Sequence, residues 1–182
     1  MTVKEIILLA ANEVGCGEKV QAYLAGGADG EAETLAFLRC FNLVESELAL
    51  DYLPLTAEDE VASDTGAVAF SALSKPAVRV VKVTDEWGNE APFKLYPDKL
   101  KTLPGKVKIE YTYTPTEKDL NGTPDDTRRT SIRLFAFGVA AEYCLATGAY
   151  EESTVWDKKY KEAIEATYRC SKARKIQSRR WA

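Results

Sequence analysis

The sequence predicts an α+β fold, mainly α: a helical bundle formed by N- and C-terminal helices with a small antiparallel β insertion in the middle. Three observations lead there. Apolar residues recur at helical spacing up to Tyr52 and again from Ile132. Between those stretches, Pro76, Pro92, Pro97 and Pro104 forbid long helices, and β-branched residues cluster among them. The order of helices, sheet, helices then makes one bundle out of both ends of the chain. The expected divisions are 1–54 for the N-terminal helices, 55–115 for the β-rich insertion, 116–170 for a loop and the C-terminal helices, and 171–182 for a basic arm. At 182 residues the chain is long enough to bury roughly two thirds of its unfolded surface.

Each element has a local cause. Thr2 with Glu5 three residues later is a capping-box pattern, and Val3, Ile6, Ile7, Ala10, Ala11 and Val14 follow at helical spacing, so a first helix is expected over 2–14. Val20, Tyr23 and Leu24 suggest a short second helix before Gly26-Gly27. Phe37, Phe41, Val44, Leu48 and Tyr52 share one stripe of a third, which Pro54 ends. In the middle, Val78–Val83 and Phe93–Tyr96 are expected as strands joined by a turn at Asp85–Asn89. Val107–Tyr113 alternates with period two, so its Val, Ile, Tyr, Tyr face should be buried and its Lys, Glu, Thr face wet. The stretch from Thr116 to Arg129 is a loop by composition, containing Asn121-Gly122 and Pro124-Asp125-Asp126. Ile132, Phe135, Ala136, Val139 and Tyr143 mark a fourth helix stopped by Gly148, and Trp156, Tyr160, Ala163, Ile164 and Thr167 mark a fifth.

Composition narrows the chemistry. Histidine is absent, which removes the commonest general base and the commonest metal ligand, and with it any Ser-His or Cys-His nucleophile built within the chain. Cys16, Cys40, Cys144 and Cys170 match no zinc, haem or redox spacing and are expected as reduced core thiols. The Gly26–Gly30 stretch lacks the Lys-Ser/Thr pair of a nucleotide loop and is expected to be a plain interhelix connection. Asp119, Asp125 and Asp126 offer oxygen ligands for a hard cation, but their spacing fits no calcium loop, and acids ahead of a helix are expected from its dipole alone. No enzyme activity, cofactor or metal is expected. The apolar run from Ile6 to Ala11 is shorter than a membrane span and carries no cleavage signature, so a cytosolic product without a targeting segment is expected.

Charge is polarised along the chain. Lys172, Arg174, Lys175, Arg179 and Arg180 give the last twelve residues +5 without an acid; the total of −4 leaves −9 on the remainder. Ile176 and Trp181 stand among those cations, and arginine with tryptophan is a composition enriched at interface hot spots. A docking arm is expected, with Lys172, Arg174, Lys175, Ile176, Arg179, Arg180 and Trp181 as partner-binding residues.

Three segments, 40–55 (CFNLVESELALDYLPL), 134–166 (LFAFGVAAEYCLATGAYEESTVWDKKYKEAIEA) and the closing SRRWA, resemble those of a bacteriophage or prophage head-tail connector protein. The resemblance implies a virion adaptor assembled in the bacterial cytoplasm. It would form a twelve-fold homo-oligomeric ring beneath the portal protein, present a platform to a neck or tail-completion protein, and reach into the portal with its C-terminal segment, here Lys172 to Trp181. DNA would pass through the lumen without specific binding, which suits an acidic body. The strand-rich middle exceeds what a minimal helical connector carries. Two other classes stay open: a nucleic-acid-binding accessory protein acting through the same basic tail, and an enzyme using carboxylates or a metal.

Overall fold

In the computed structural model, residues 1–171 are described, and they form two compact units. The first comprises Met1–Val44 and the chain from Lys118 onward; the second is Glu45–Glu117. The predicted bundle with a small β insertion is therefore corrected. The middle of the chain is a unit in its own right, holding two three-stranded antiparallel sheets with orders β1-β6-β3 and β2-β5-β4.

The helical unit contains α1 (Val3–Glu13), α2 (Gly17–Leu24), most of α3 (Glu31–Glu47), α4 (Ile132–Thr147) and α5 (Tyr150–Ser171). Thr2 caps α1 reciprocally with Glu5: its Oγ1 accepts from the Glu5 amide at 3.4 Å while its own amide donates to Glu5 Oε2 at 2.8 Å. Ser131 caps α4, and Gly148 ends it in the left-handed conformation, φ +82°. α1 packs on α2 and α4, and α4 packs on α5. Phe37 of α3 stacks on Tyr143 of α4 with ring centroids 3.9 Å apart, and Phe41 meets Phe135 at 5.5 Å. Gly138 lets α4 lie close to its neighbours, since a Cβ there would stand 2.8 Å from Val44 Cγ1 and 2.9 Å from Tyr160 Cε2. Where the chain re-enters this unit, Asn42 grips Lys118 twice: its Oδ1 accepts from the Lys118 amide at 2.8 Å and its Nδ2 donates to the Lys118 carbonyl at 3.2 Å.

The third helix departs from its predicted form. The stripe through Leu48 and Tyr52 does not continue as α-helix; α3 stops at Glu47, and Leu48–Tyr52 makes one wider turn closed by Leu53 N–H on the Leu48 carbonyl.

The β unit holds β1 (Leu55–Ser63), β2 (Ala67–Ala69), β3 (Ala77–Asp85), β4 (Lys94–Leu95), β5 (Lys99–Lys101) and β6 (Gly105–Tyr113). β6 is central in the larger sheet and pairs along its length with β1, from Leu55 opposite Tyr113 to Ser63 opposite Gly105. Its predicted alternation holds as far as Tyr111: Val107, Ile109 and Tyr111 are buried, while Lys108, Glu110 and Thr112 are only partly covered, and Tyr113, expected on the buried face, is only half-buried at the strand's end. Val68 of β2 and Leu100 of β5 enter the same core as Val80, Val83, Val107, Ile109 and Tyr111, so both sheets close over one apolar centre. On β3 the register against β6 shifts twice, between Ala77 and Arg79 and between Val80 and Lys82, leaving Val78 and Val81 exposed on an edge strand.

Candidate functional site

The turn after β3 is exposed and braced by five hydrogen bonds to one residue. Asp85 organises it from both ends. Its carboxylate accepts from the amides of Trp87 at 3.0 Å and Asn89 at 2.8 Å and from Asn89 Nδ2 at 3.2 Å. Its carbonyl accepts from the Gly88 amide at 3.1 Å, and its amide donates to the Asn89 carbonyl at 2.9 Å. Burial pushes the Asp85 carboxyl up, but the hydrogen bonds from Asn89, then from the Trp87 and Gly88 amides, outweigh it and hold the group below its ordinary range. Gly88 takes φ +85°, which an L side chain would resist. The side chain lifted by this scaffold is Trp87, 77% exposed. A tryptophan costs little conformational entropy to immobilise and buries a large area on contact, so the braced turn offers an apolar surface at low entropic cost.

Beside the turn lies the polar face of the larger sheet. A groove of about 440 Å³ runs past Glu60, Thr84, Glu86, Gly88, Lys106 and Lys108, and a smaller one of about 260 Å³ lies against Glu58, Lys82 and Glu110. Charges alternate across it: Lys108 Nζ meets Glu58 Oε1 at 2.8 Å and Lys82 Nζ meets Glu90 Oε1 at 3.4 Å. The bond to Glu58 and its charge raise the Lys108 pKa, so this ammonium stays protonated and is no general base. The face is a surface of mixed sign, suited to orienting a partner rather than to moving a proton.

On the opposite face, Asp59 sits where the alternation of β1 calls for an apolar residue, and it is supplied with donors. It accepts from Tyr111 Oη at 2.7 Å, from the Ser74 amide at 2.6 Å and from Ser74 Oγ at 2.8 Å, while the Lys75 amide donates to Tyr111 Oη at 3.1 Å. Desolvation raises the Asp59 pKa, but the bonds from Tyr111 and Ser74 lower it further, and the carboxyl ends below its usual value. Tyr111 moves up, chiefly through burial. The network ties β1, β6 and the segment before β3 together and holds an ionised carboxylate in place.

The residues singled out from sequence fall as follows. Lys172, Arg174, Lys175, Ile176, Arg179, Arg180 and Trp181 lie outside the described residues. Asp125 is paired with Lys118 at 2.6 Å, Asp126 is bonded to both the amide and Nε of Arg129, and Asp119 accepts from the Asn121 amide at 2.9 Å, so the three acids organise their loop. Among the described residues no group of three or more Cys, Asp or Glu is placed to hold a metal ion. Gly30 begins α3 with φ +85°, close against the Lys19 carbonyl, and accepts from Thr34 Oγ1 at 2.7 Å; the glycine stretch connects two helices. Cys40 and Cys144 are buried free thiols and Cys16 is half-buried. Burial pushes Cys40 up to about 11 and, with Glu152, raises Cys144, so both stay protonated and unreactive.

Trp87 was visible in the sequence only as part of a turn. The signal that would have found it is Asp85 with Gly88 and Asn89, an Asx-type turn whose remaining bulky side chain has nowhere to point but outward. No protein-family model and no curated protein matches the chain. No helix among the described residues is long and apolar enough to cross a membrane.

Proposed function

We propose that this chain is a non-enzymatic structural protein of a phage virion, a head-tail connector that joins copies of itself and neighbouring neck components through displayed surfaces. The observation that carries the reading is Trp87, set on a turn with five hydrogen bonds to Asp85 and left 77% exposed. Such bracing stabilises presentation of an apolar anchor, a configuration with value only when another surface covers it. The helical unit adds exposed apolar side chains at Leu43 and Tyr150, 61% and 67% accessible, inside the two longer segments that resemble head-tail connectors.

In this reading the body assembles as a twelve-fold ring, and the arm from Lys172 to Trp181 secures it to the portal. Repetition around a ring multiplies a modest contact into large avidity, so a few cations with Ile176 and Trp181 suffice. Co-sedimentation with purified portal tests the arm: deletion of residues 171–182 should abolish attachment while leaving the circular dichroism spectrum and melting temperature of the body unchanged. Attachment of the truncated chain at normal stoichiometry overturns the role of the arm. The anchor is tested separately, by imaging particles that carry Trp87→Ala. Particles that complete their necks at the wild-type frequency overturn the role of the turn.

A further inference from the structure

A second surface of the β unit has a composition that the connector reading does not use. The outer face of the smaller sheet is a grid of two rows. Register places Ala67 opposite Lys101 and Lys101 opposite Lys94; in the next row Ala69 is opposite Lys99, whose carbonyl accepts from the Tyr96 amide at 2.8 Å. Val68 and Leu100, between the rows, turn inward and are buried, while the side chains of both rows are exposed. One small face therefore displays three ammonium groups, one aromatic ring and two alanines.

This concentration runs against its surroundings. Residues 45–117 contain thirteen Asp and Glu against eight Lys and Arg, a net −5, yet none of Lys94, Lys99 and Lys101 has an acidic partner among the described residues. Lys94 and Lys101 are direct cross-strand neighbours, an arrangement of like charges that is destabilising in itself. Protection of a sheet edge accounts for a lysine on β4, but β5 is the central strand and carries two. The Lys94 ammonium is held 5.6 Å above the Tyr96 ring, which keeps it over the face. Ala67 and Ala69 leave low ground beside the cations, so an extended backbone can approach without a steric barrier. Lys99 and Lys101, two residues apart on one strand, are separated by about 7 Å, a spacing comparable to that of successive phosphates along a nucleic-acid strand.

We propose that the face formed by Lys94, Lys99 and Lys101 is a contact site for the phosphate backbone of duplex DNA, independent of sequence. The net negative charge of residues 45–117 opposes wider contact with phosphates and keeps the binding weak. The inference stands apart from the portal reading, because it concerns a ligand and a surface that the arm does not include.

The test is fluorescence anisotropy of a labelled 30-base-pair duplex with the full chain, starting near 50 mM salt and repeated as salt is raised. Each phosphate contact contributes about −0.9 to the slope of log K against log salt. Lys94→Gln/Lys99→Gln/Lys101→Gln should therefore flatten the slope by about 2 to 3 and weaken low-salt binding at least tenfold, with melting unchanged. A companion chain with Arg174, Lys175, Arg179 and Arg180 changed to Gln separates the arm, and the triple lysine change should lower affinity in that background too. Wild-type chain that does not bind the duplex at low salt overturns the proposal, as does a triple variant with unchanged slope. Loss of self-association in sedimentation with DNA binding intact also overturns it, by showing that the face meets carboxylates of another protein.

Discussion

The helical unit and the β unit use the same chain chemistry for different ends. In the helical unit three aromatic pairs pack against one another: Phe37 on Tyr143, Phe41 on Phe135, Phe137 on Trp156. In the β unit the core is made mainly of valines, one isoleucine, one leucine and Tyr111, while Trp87, Phe93 and Tyr96 stand partly or largely in solvent. The helical unit packs aromatic pairs internally while leaving Tyr150 exposed, whereas the β unit buries one aromatic ring completely, that of Tyr111, and leaves Trp87 largely in solvent. The contrast separates the part whose substitutions should cost stability from the part whose substitutions should cost recognition.

The sharpest way to break that division is in the helical core. Phe41→Ala removes a fully buried ring and should destabilise by about 3–5 kcal/mol, read as a lower urea midpoint and as faster amide exchange in α3 and α4. Exchange in β6 should be unaffected if the units open separately; equal acceleration in both would show that they unfold as one.

A smaller loss is expected from the Asp59 network. Tyr111→Phe leaves the carboxylate without its phenol donor and should cost about 1–2 kcal/mol. Because the folded Asp59 pKa lies below its unfolded value of about 3.9, the stability it contributes is present above that value. It is lost as pH falls through the folded pKa, so a wild-type chain should weaken in acid with a steeper slope than Asp59→Asn. Matching acid profiles would remove the network from the account.

At the other end of the scale, Tyr143 is pushed up to about 12 by burial first and then by its contact with Cys16. A raised folded pKa means stability that is whole below about pH 10 and is lost as pH climbs toward 12. Tyr143→Phe should flatten that alkaline decline in a thermal-melting series, and an unchanged decline would assign it to other groups, Cys40 among them.

The smallest effect on folding belongs to Trp87→Ala, within about 0.5 kcal/mol, since the ring packs against little. A shift well beyond that in the urea midpoint would mean that the ring supports the fold, and would erase the contrast between the two units.

What the sequence made legible follows from how each element is stabilised. α1 and α4 stand out because capping residues and apolar stripes agree, α5 through its apolar stripe, and β6 because its faces alternate from Val107 to Tyr111. β1 was hidden for the opposite reason. Its strand carries Glu58, Asp59 and Glu60 in a row, and an aspartate at an inward position breaks the alternation that marks a strand. Only the donors from Ser74 and Tyr111, 15 and 52 residues away, make that position tolerable, and a local pattern holds no trace of them. β2 and β5 are three residues long, too short to show a period, while β4, expected as Phe93–Tyr96, is only Lys94–Leu95 and pairs with β5. The lysine face escaped for a related reason: its rows join β2, β5 and β4, and become neighbours only once the register is known.

The grip of Asn42 on Lys118 has one more implication. Those two residues flank the point where 73 positions leave the helical chain path and return, from Glu45 to Glu117, and they hold the two crossings within hydrogen-bond reach of each other. A short bridge is therefore enough to reconnect the helical framework without its passenger. The middle of this polypeptide is an insertion whose two ends meet at neighbouring points of the helical unit, so its removal should leave the frame continuous.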